Sequence, residues 1–186
     1  MVALAKEDSS PLEITIRTAE ALTQNLCPIL LIEPGMKKPM SSPSGEWHVL
    51  DDPYEANEII QAKYDETKRV PNIGVLLHPM RDSQLVCVDI DGINTAALQT
   101  LHRLGINGDS HAWCQNTGKG KKYRHFFFFW NGEPLKRSAN KPDGIPIDLL
   151  SNGYAIVAPS NTGQERGGGG QYRWRQDHSP LDIGLE

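Results

Sequence analysis

The sequence lacks the features that mark several specialised classes of protein. No apolar run approaches the ~18 residues that a membrane-spanning helix needs, and the first ten residues contain no signal-peptide hydrophobic segment. The three cysteines are odd in number and far apart, which favours reduced structural thiols over disulfides or a zinc site. No internal repeat is present. We therefore expect a cytoplasmic protein without structural zinc and without a membrane partner, and its 186 residues suffice for one domain or two small modules.

The chain also lacks an excess of positive charge. It has 19 Lys and Arg against 23 Asp and Glu, a net charge of -4. This argues against a generic nucleic-acid coat protein, because such proteins gain affinity by neutralising phosphates. The segment from residue 117 to 141 is an exception, because it contains one acid and seven basic residues. The basic residues are Lys119, Lys121, Lys122, Arg124, Lys136, Arg137 and Lys141. This segment is either a solvated loop or a site where anions meet a carboxylate-held metal.

Two carboxylates end the most strand-like stretch of the chain. The apolar run from residue 85 to 88 predicts a buried strand, and Asp89 and Asp91 follow where it leaves the core. Because side chains alternate along a strand, the two acids share one face, with Cα atoms roughly 6 to 7 Å apart, and Ile90 points the other way. Such a pair suits shared divalent cations. A solvated strand end before a Gly92 turn is the alternative.

Helix caps and apolar runs predict an alternation of helices and strands. Helices are expected from about 12 to 25, from 53 to 68 and from 94 to 104, with Ser10, Asp52 and Gly105 as caps. Strands are expected at 29–32, 73–78, 84–91, 111–115, 123–130, 146–150, 154–158 and 171–175. The short turn between 73–78 and 84–91 predicts that these two strands pair antiparallel. Four glycines at 167–170 predict a mobile hairpin tip or loop.

A basic, glycine-containing turn is the second candidate element of a site. Residues 117–122 read TGKGKK, in which glycines let backbone N–H groups approach a phosphate while Lys119, Lys121 and Lys122 add charge. It is not a P-loop, because the spacing differs and no helix follows. Earlier in the chain, a loop rich in Pro, Gly and Ser carries Lys37 and Lys38, and this loop is either a connector or a phosphate contact.

Arg124 and His125 follow the basic turn at the head of an aromatic strand. Either residue could contact a phosphate, and a structural role for the histidine is the alternative. His125 shares its face of the strand with Phe127 and Phe129. Either those aromatic residues lie in the core beyond the site, or Arg124 faces the site and His125 packs inward.

Asp148 is a third carboxylate in an apolar strand. By alternation it projects to the opposite face from Ile147 and Leu149, where a cation or a hydrogen bond to a neighbouring turn would satisfy it. Three carboxylates on neighbouring strands could hold two metal ions, and the basic turn beside them could bind phosphate. Such ions can activate an attacking hydroxyl and stabilise a leaving pyrophosphate.

These motifs in this order resemble the bifunctional DNA primase/polymerase domain of the archaeo-eukaryotic primase superfamily, over about residues 18 to 175. The resemblance rests on an ordered series: Lys38-Pro39, Trp47, Asn72-Ile73-Gly74, VDIDG, TGKG with His125, Asp148, GYAIVAPS, and Tyr172 with Trp174. The chain departs from the family pattern at Tyr123, where a small residue is usual two positions before the histidine, and in a longer turn before His125.

The resemblance implies a fold, an activity and a set of site residues. The fold is α/β (α+β), with an N-terminal α/β half facing an RNA-recognition-motif-like, strand-rich half across a catalytic cleft, in a domain of residues 1–176 followed by a tail or linker. The activity is that of a DNA-dependent DNA polymerase/primase that transfers nucleotides from nucleoside triphosphates on a DNA template in replication. Catalytic ligands of two Mg²⁺ or Mn²⁺ ions would be Asp89, Asp91 and Asp148. Nucleotide-binding residues would be His125, Lys119, Lys121, Lys122 and Arg124.

Two other readings remain open on the residues alone. A non-catalytic nucleic-acid-binding module of a larger replication protein would account for the short chain and its acidic balance. A metal-dependent nuclease could use the same carboxylates. The resemblance also suggests a mobile element or virus as the setting, and a helicase in the same or another chain is a further expected partner.

Overall fold

The computed structural model describes residues 9–41, 45–77, 83–106, 113–135, 145–163 and 169–183. Within these ranges three helices and nine strands follow one another: α1 (Pro11–Gln24), β1 (Ile29–Ile32), β2 (Val49–Leu50), α2 (Pro53–Thr67), β3 (Asn72–Leu76), β4 (Gln84–Asp91), α3 (Thr95–Arg103), β5 (Trp113–Thr117), β6 (Gly120–Trp130), β7 (Ile147–Leu150), β8 (Tyr154–Val157) and β9 (Arg173–Trp174). The strands form two antiparallel sheets. The predicted α/β (α+β) class is confirmed.

Helices α1 and α2 begin at the caps that the sequence predicted, whereas the residue that caps the end of α3 is Leu104 and not the predicted Gly105, which follows it with a φ of +72°. At the start of α1 the Ser10 side chain accepts from the Glu13 backbone N–H, and the Glu13 carboxylate accepts from the Ser10 N–H at 2.7 Å. Asp52 caps α2 by accepting from the two backbone N–H groups of residues 54 and 55. Each cap satisfies donors that the first turn of a helix cannot pair internally.

The first sheet has the strand order β2-β1-β3-β8. Helices α1 and α2 pack together, and their apolar residues enter one buried cluster with this sheet. That cluster also contains Cys87, Trp113 and Phe127 from the second sheet. The two sheets therefore share a hydrophobic core.

The second sheet has the strand order β7-β4-β6-β5-β9, and its two faces have different partners. The even-numbered residues Val88 and Ile90 of β4 pack with Ala97 and Leu101 of α3. Odd-numbered Cys87 faces the shared core. This alternation places Asp89 and Asp91 on the core-facing side, beyond the point where the apolar residues end.

The predicted pairing of the third and fourth strands is wrong. β3 lies between β1 and β8 in the first sheet, whereas β4 lies between β6 and β7 in the second. Both hydrogen-bonding edges of each strand are thus already occupied by other strands. The predicted turn between them falls largely on residues 78–82, which lie outside the described ranges, as do the predicted strand start at 111 and 112 and Gly167 and Gly168 of the glycine run.

The stretch predicted as a tail packs on the second sheet as far as residue 183. The Cys114 N–H donates to the carbonyl oxygen of His178, and the Trp113 indole N–H donates to that of Ile183 at 2.7 Å. The boundary at residue 176 stays a prediction. In the described part of the chain, none of the helices combines the length and apolar character needed to cross a bilayer.

Candidate functional site

A row of polar side chains crosses four strands of the second sheet. In the strand register Asp148 of β7 pairs with Asp89 of β4, Asp89 pairs with His125 of β6, and His125 pairs with Gln115 of β5. Directly paired residues of antiparallel strands point to the same face, with Cα atoms about 4.5 to 5.5 Å apart. The sheet thereby brings together two of the three predicted acids and the predicted histidine.

Asp91, the second acid of β4, meets the basic turn. Lys119 lies in the tight turn between β5 and β6, and its Nζ is 3.1 Å from Asp91 Oδ1. The lysine side chain is 44% exposed and the aspartate 28%, so solvent still reaches both groups. The Lys119 ammonium also lies 5.4 Å from the centre of the Tyr123 ring, a cation–π distance.

A pocket opens between the two sheets at these residues. Acidic, basic and hydroxyl-bearing side chains from distant segments of the chain line it. The described lining residues are Lys37, Asp89, Asp91, Thr117, Gly118, Lys119, His125, Thr162 and Tyr172. A second pocket of about 400 Å³ adjoins it, sharing Lys37, Asp89, His125 and Tyr172 and adding Trp47 and Tyr154. This volume is in the range of sites for small molecules.

His125 faces the pocket and not the side of the sheet that α3 covers. Its ring centre lies 5.9 Å from that of Phe127, which is fully buried in the shared core, and 6.0 Å from that of Tyr172. The aromatic residue on the same face of the strand therefore lies beneath the site. This is the first of the two arrangements that the sequence allowed.

Arg124 lies on the opposite face of β6, paired with Ile90 and Asn116. Partial burial lowers the pKa of its guanidinium, and the positive charge of Arg175 lowers it further. The structure thus places Arg124 near another arginine. It lies away from the three carboxylates Asp89, Asp91 and Asp148, which we call the acidic row. Its predicted position at the nucleotide site does not fit this geometry, because alternation turns it away from His125.

The other predicted basic residues divide into two groups. Lys119 lines the pocket, whereas Lys121 and Lys122 are exposed at the start of β6 and do not line it. Of the earlier pair, Lys38 forms an ion pair with Glu33 at 3.0 Å, and Lys37 lines both pockets. Lys136, Arg137 and Lys141 lie outside the described residues.

Sequence reasoning did not select Gln115, Thr117 or Thr162. Gln115 is fully buried, and its amide nitrogen is 3.0 Å from His125 Nδ1. The available signal was weak, because Gln115 follows the apolar Trp113 and Cys114 directly but is itself followed by two more polar residues. Thr162 reaches the pocket from a loop after β8, a position that depends on long-range packing.

The acidic row suits a hard divalent cation in its chemistry. Carboxylate oxygens are the ligands that Mg²⁺ and Mn²⁺ prefer, and Asp89, Asp91 and Asp148 supply them from two adjacent strands. Among the described residues, however, no three side chains of the ligand types His, Cys, Asp and Glu converge into a formed metal-binding group. The residue types and their shared face fit such an ion, and side-chain rotation would have to bring them together.

Cys87 is a further potentially reactive group near the row. Its complete burial raises the pKa of the thiol well above the ordinary value, and the Asp89 carboxylate adds to this effect. The thiol is therefore held protonated and belongs to the core.

Comparison with known proteins assigns this chain to a family. The family model for the N-terminal domain of bifunctional DNA primase/polymerase matches residues 18–184. A comparison with curated proteins finds no match. The matched range contains the whole polar row, the basic turn and both sheets. The chain therefore belongs to the bifunctional DNA primase/polymerase family and carries its N-terminal domain, a domain with DNA primase/polymerase-type nucleotidyltransferase activity.

Proposed function

We propose that this domain extends a DNA strand during replication by metal-dependent nucleotidyl transfer from nucleoside triphosphates. The observation that carries the proposal is the register that aligns Asp148, Asp89 and His125 on adjacent strands, with Asp91 on the same face. One end of this arrangement is acidic and the other can donate hydrogen bonds. An acidic end beside a hydrogen-bond-donating end is what a site needs to bind metal ions together with a triphosphate.

The three carboxylates would hold two Mg²⁺ or Mn²⁺ ions. Bound there, such a pair supplies Lewis-acid stabilisation of the charge that develops on the transferred phosphoryl group. Asp89 contributes from the centre of the row, Asp148 from the neighbouring strand and Asp91 from the strand end. Lys119, 3.1 Å from Asp91, partly neutralises this acidic group in the absence of cations.

The basic side chains around the pocket would bind the triphosphate. Lys119 and Lys37 both line the pocket, and a phosphate bound there would be attracted by two positive charges. His125 adds a hydrogen-bond donor near Asp89. Lys121 and Lys122 are exposed beside this group and would act on the approaching nucleotide through longer-range attraction.

The adjoining pocket would receive the rest of the nucleotide or the template strand. Trp47 and Tyr154 lie edge to face in its wall, with ring centres 5.3 Å apart, and Trp47 is 46% exposed. Exposed aromatic rings offer stacking surfaces for bases. The pocket shares Asp89 and His125 with the acidic row, so a nucleotide could contact both regions at once.

A primer-extension assay tests the proposal. Deoxynucleotides and ribonucleotides would be supplied with Mg²⁺ or Mn²⁺, with and without a primer, to the wild type, Asp89→Asn and Glu58→Gln. Glu58 is a matched control because it is an exposed acid on α2, far along the chain from the row. We expect extension to fall by about 100-fold or more in Asp89→Asn and to persist in Glu58→Gln.

Other results would identify other activities. Retained extension in folded Asp89→Asn would refute the role of the acidic row. Binding of template by the wild type with no incorporation in either metal would indicate a non-catalytic binding module. Degradation of labelled DNA without added nucleotides would indicate a nuclease.

A further inference from the structure

Gln115 links the two sheets immediately behind His125. Its side chain is completely buried in the middle of β5. The amide oxygen accepts a 2.7 Å hydrogen bond from the backbone N–H of Ala158. The amide nitrogen donates at 2.7 Å to the carbonyl oxygen of Ile156 in β8 and lies 3.0 Å from Nδ1 of His125.

The backbone determines which end of this amide is oxygen and which is nitrogen. A backbone N–H can only donate and a carbonyl oxygen can only accept. Reversing the amide would set its NH₂ group against the Ala158 N–H and its oxygen against the Ile156 carbonyl. Both contacts would be repulsive in a buried position, so the NH₂ group of Gln115 faces His125.

This orientation settles the tautomer of the neutral imidazole. Nδ1 of His125 meets a donor and must act as the acceptor, which leaves the proton on Nε2. The rings of Phe127 and Tyr172, with centres 5.9 and 6.0 Å away, hold the imidazole in place. Nε2 lies 3.4 Å from Asp89 Oδ1, longer than the usual N–H···O distance, so this proton remains available to a ligand oxygen.

We propose that Gln115 is a positioning residue that makes His125 a dedicated hydrogen-bond donor to an anionic oxygen of the substrate. The identity of that oxygen as a triphosphate oxygen rests on the proposed function. The same arrangement excludes the neutral His125 as a general base, since Nδ1 is occupied by the Gln115 NH₂ group and Nε2 already carries its proton. Because Gln115 is bonded to two backbone groups at β8, it also orients His125 relative to the first sheet.

Nitrogen NMR of the histidine rings tests the tautomer without any activity measurement. The protein is labelled with ¹⁵N, the spectrum is recorded where histidines are neutral, and the His125 signals are assigned by their loss in His125→Ala. We expect a protonated Nε2 and an unprotonated Nδ1 in the wild type. In Gln115→Glu a carboxylate oxygen would face Nδ1, so the proton should move to Nδ1 or occupy both nitrogens. A protonated Nδ1 in the wild type would overturn the proposal, as would an unchanged tautomer in folded Gln115→Glu.

A double-mutant cycle then separates positioning from a structural role. Gln115→Met keeps the length of the side chain and removes both donor and acceptor. We expect it to raise the KM for the nucleoside triphosphate roughly tenfold with a smaller change in kcat. In the His125→Ala background the same substitution should change KM by less than about twofold. Gln61→Met is the matched control, because Gln61 is a half-buried glutamine of α2 that bonds Asp65 and does not line either pocket, and it should leave KM unchanged.

The two assays distinguish the possible failures. Equal KM effects of Gln115→Met with and without His125 would show a structural role and would refute the proposal. A wild type that shows the expected tautomer but no nucleotide incorporation would refute the proposed function and leave the orientation of His125 by Gln115 supported. If the Gln115 variants fail to fold, the wild-type spectrum alone still decides whether Nε2 carries the proton.

Discussion

Asp89 and Asp148 face each other directly on adjacent strands of the second sheet. Two like charges at directly opposed positions destabilise a sheet by roughly 0.2 to 1 kcal/mol. A cation between them would convert this repulsion into binding energy. The pair therefore connects the stability of the domain with the metal site that we propose.

Replacing one member of this pair should raise stability without metal and weaken the response to metal. We expect Asp148→Asn in the presence of a chelator to raise the free energy of unfolding by about 0.5 kcal/mol, because one charge is removed. Added Mn²⁺ should stabilise the wild type more than this variant, since a ligand that binds the folded state increases its stability. Thermal denaturation with chelator and with Mn²⁺ measures both effects. Asp65→Asn on α2 is the control, and equal stabilisation by Mn²⁺ in wild type and Asp148→Asn would contradict the metal assignment.

Lys119 should contribute to nucleotide binding more than to the chemical step. We expect Lys119→Met to raise the KM for nucleoside triphosphates by about three- to tenfold, because it removes a positive charge from the pocket while Asp91 stays in place. Steady-state primer extension at several nucleotide concentrations gives the separate effects on KM and kcat. Lys63→Met removes a similarly exposed lysine that pairs with Glu66 at 2.7 Å on α2, and it should have no effect. An unchanged KM in Lys119→Met would show that Lys119 does not bind the triphosphate.

Leu26 should be replaceable by glycine with a gain in stability. It follows α1 with a φ of +59° and is 76% exposed, while the Cys27 N–H donates back to the Leu22 carbonyl oxygen at 3.0 Å. This left-handed position after a helix favours glycine. We expect Leu26→Gly to raise the free energy of unfolding by about 0.5 to 1 kcal/mol in chemical denaturation.

Leu104 provides the matched control for that substitution. It is the C-cap of α3 and is 60% exposed, but its φ of -81° is one that leucine adopts without strain. Leu104→Gly should therefore give no gain and a small loss of stability. A gain of similar size in both variants would show that the backbone conformation at Leu26 is not the cause.

Alkaline pH should destabilise the domain partly through Cys27. Burial raises the pKa of the Cys27 thiol from its ordinary value of 9.0 to about 12. The stabilising contribution is thus present below pH 9 and is lost as the pH rises towards 12, because the unfolded chain releases this proton first. We expect the loss of unfolding free energy between these values to be smaller in Cys27→Ala, by up to about 1 kcal/mol per pH unit. Chemical denaturation across this pH range measures it, and identical slopes would refute the assignment.

The helices could be located from the sequence because their signals are local. Ser10 and Glu13 bond to each other's backbone groups within one turn of α1. Asp52 caps α2 by itself, because its side chain accepts from two backbone N–H groups of the first turn. The shared face of Asp89 and Asp91 is equally local, since it follows from strand alternation. Such features depend on residues two or three positions apart and need no knowledge of the rest of the chain.

Strand partners could not be located in this way. The short connection between β3 and β4 predicted a hairpin, yet each strand pairs with more distant segments. β8 comes late in the chain but completes the first sheet. Which edges pair is settled by competition among all strands for buried surface, and a local turn signal does not contain that information.

The sequence by itself determined the helix ends, the common face of Asp89 and Asp91, and the ordered motifs that identify the family. Tertiary structure alone decided that Asp148 lies beside Asp89, that His125 and not Arg124 faces the pocket, and that Gln115 binds His125 from behind. The physical reason is the range of the interactions. Caps and alternation act between near neighbours, whereas the polar row is assembled by hydrogen-bonded pairing of strands that are distant in the chain.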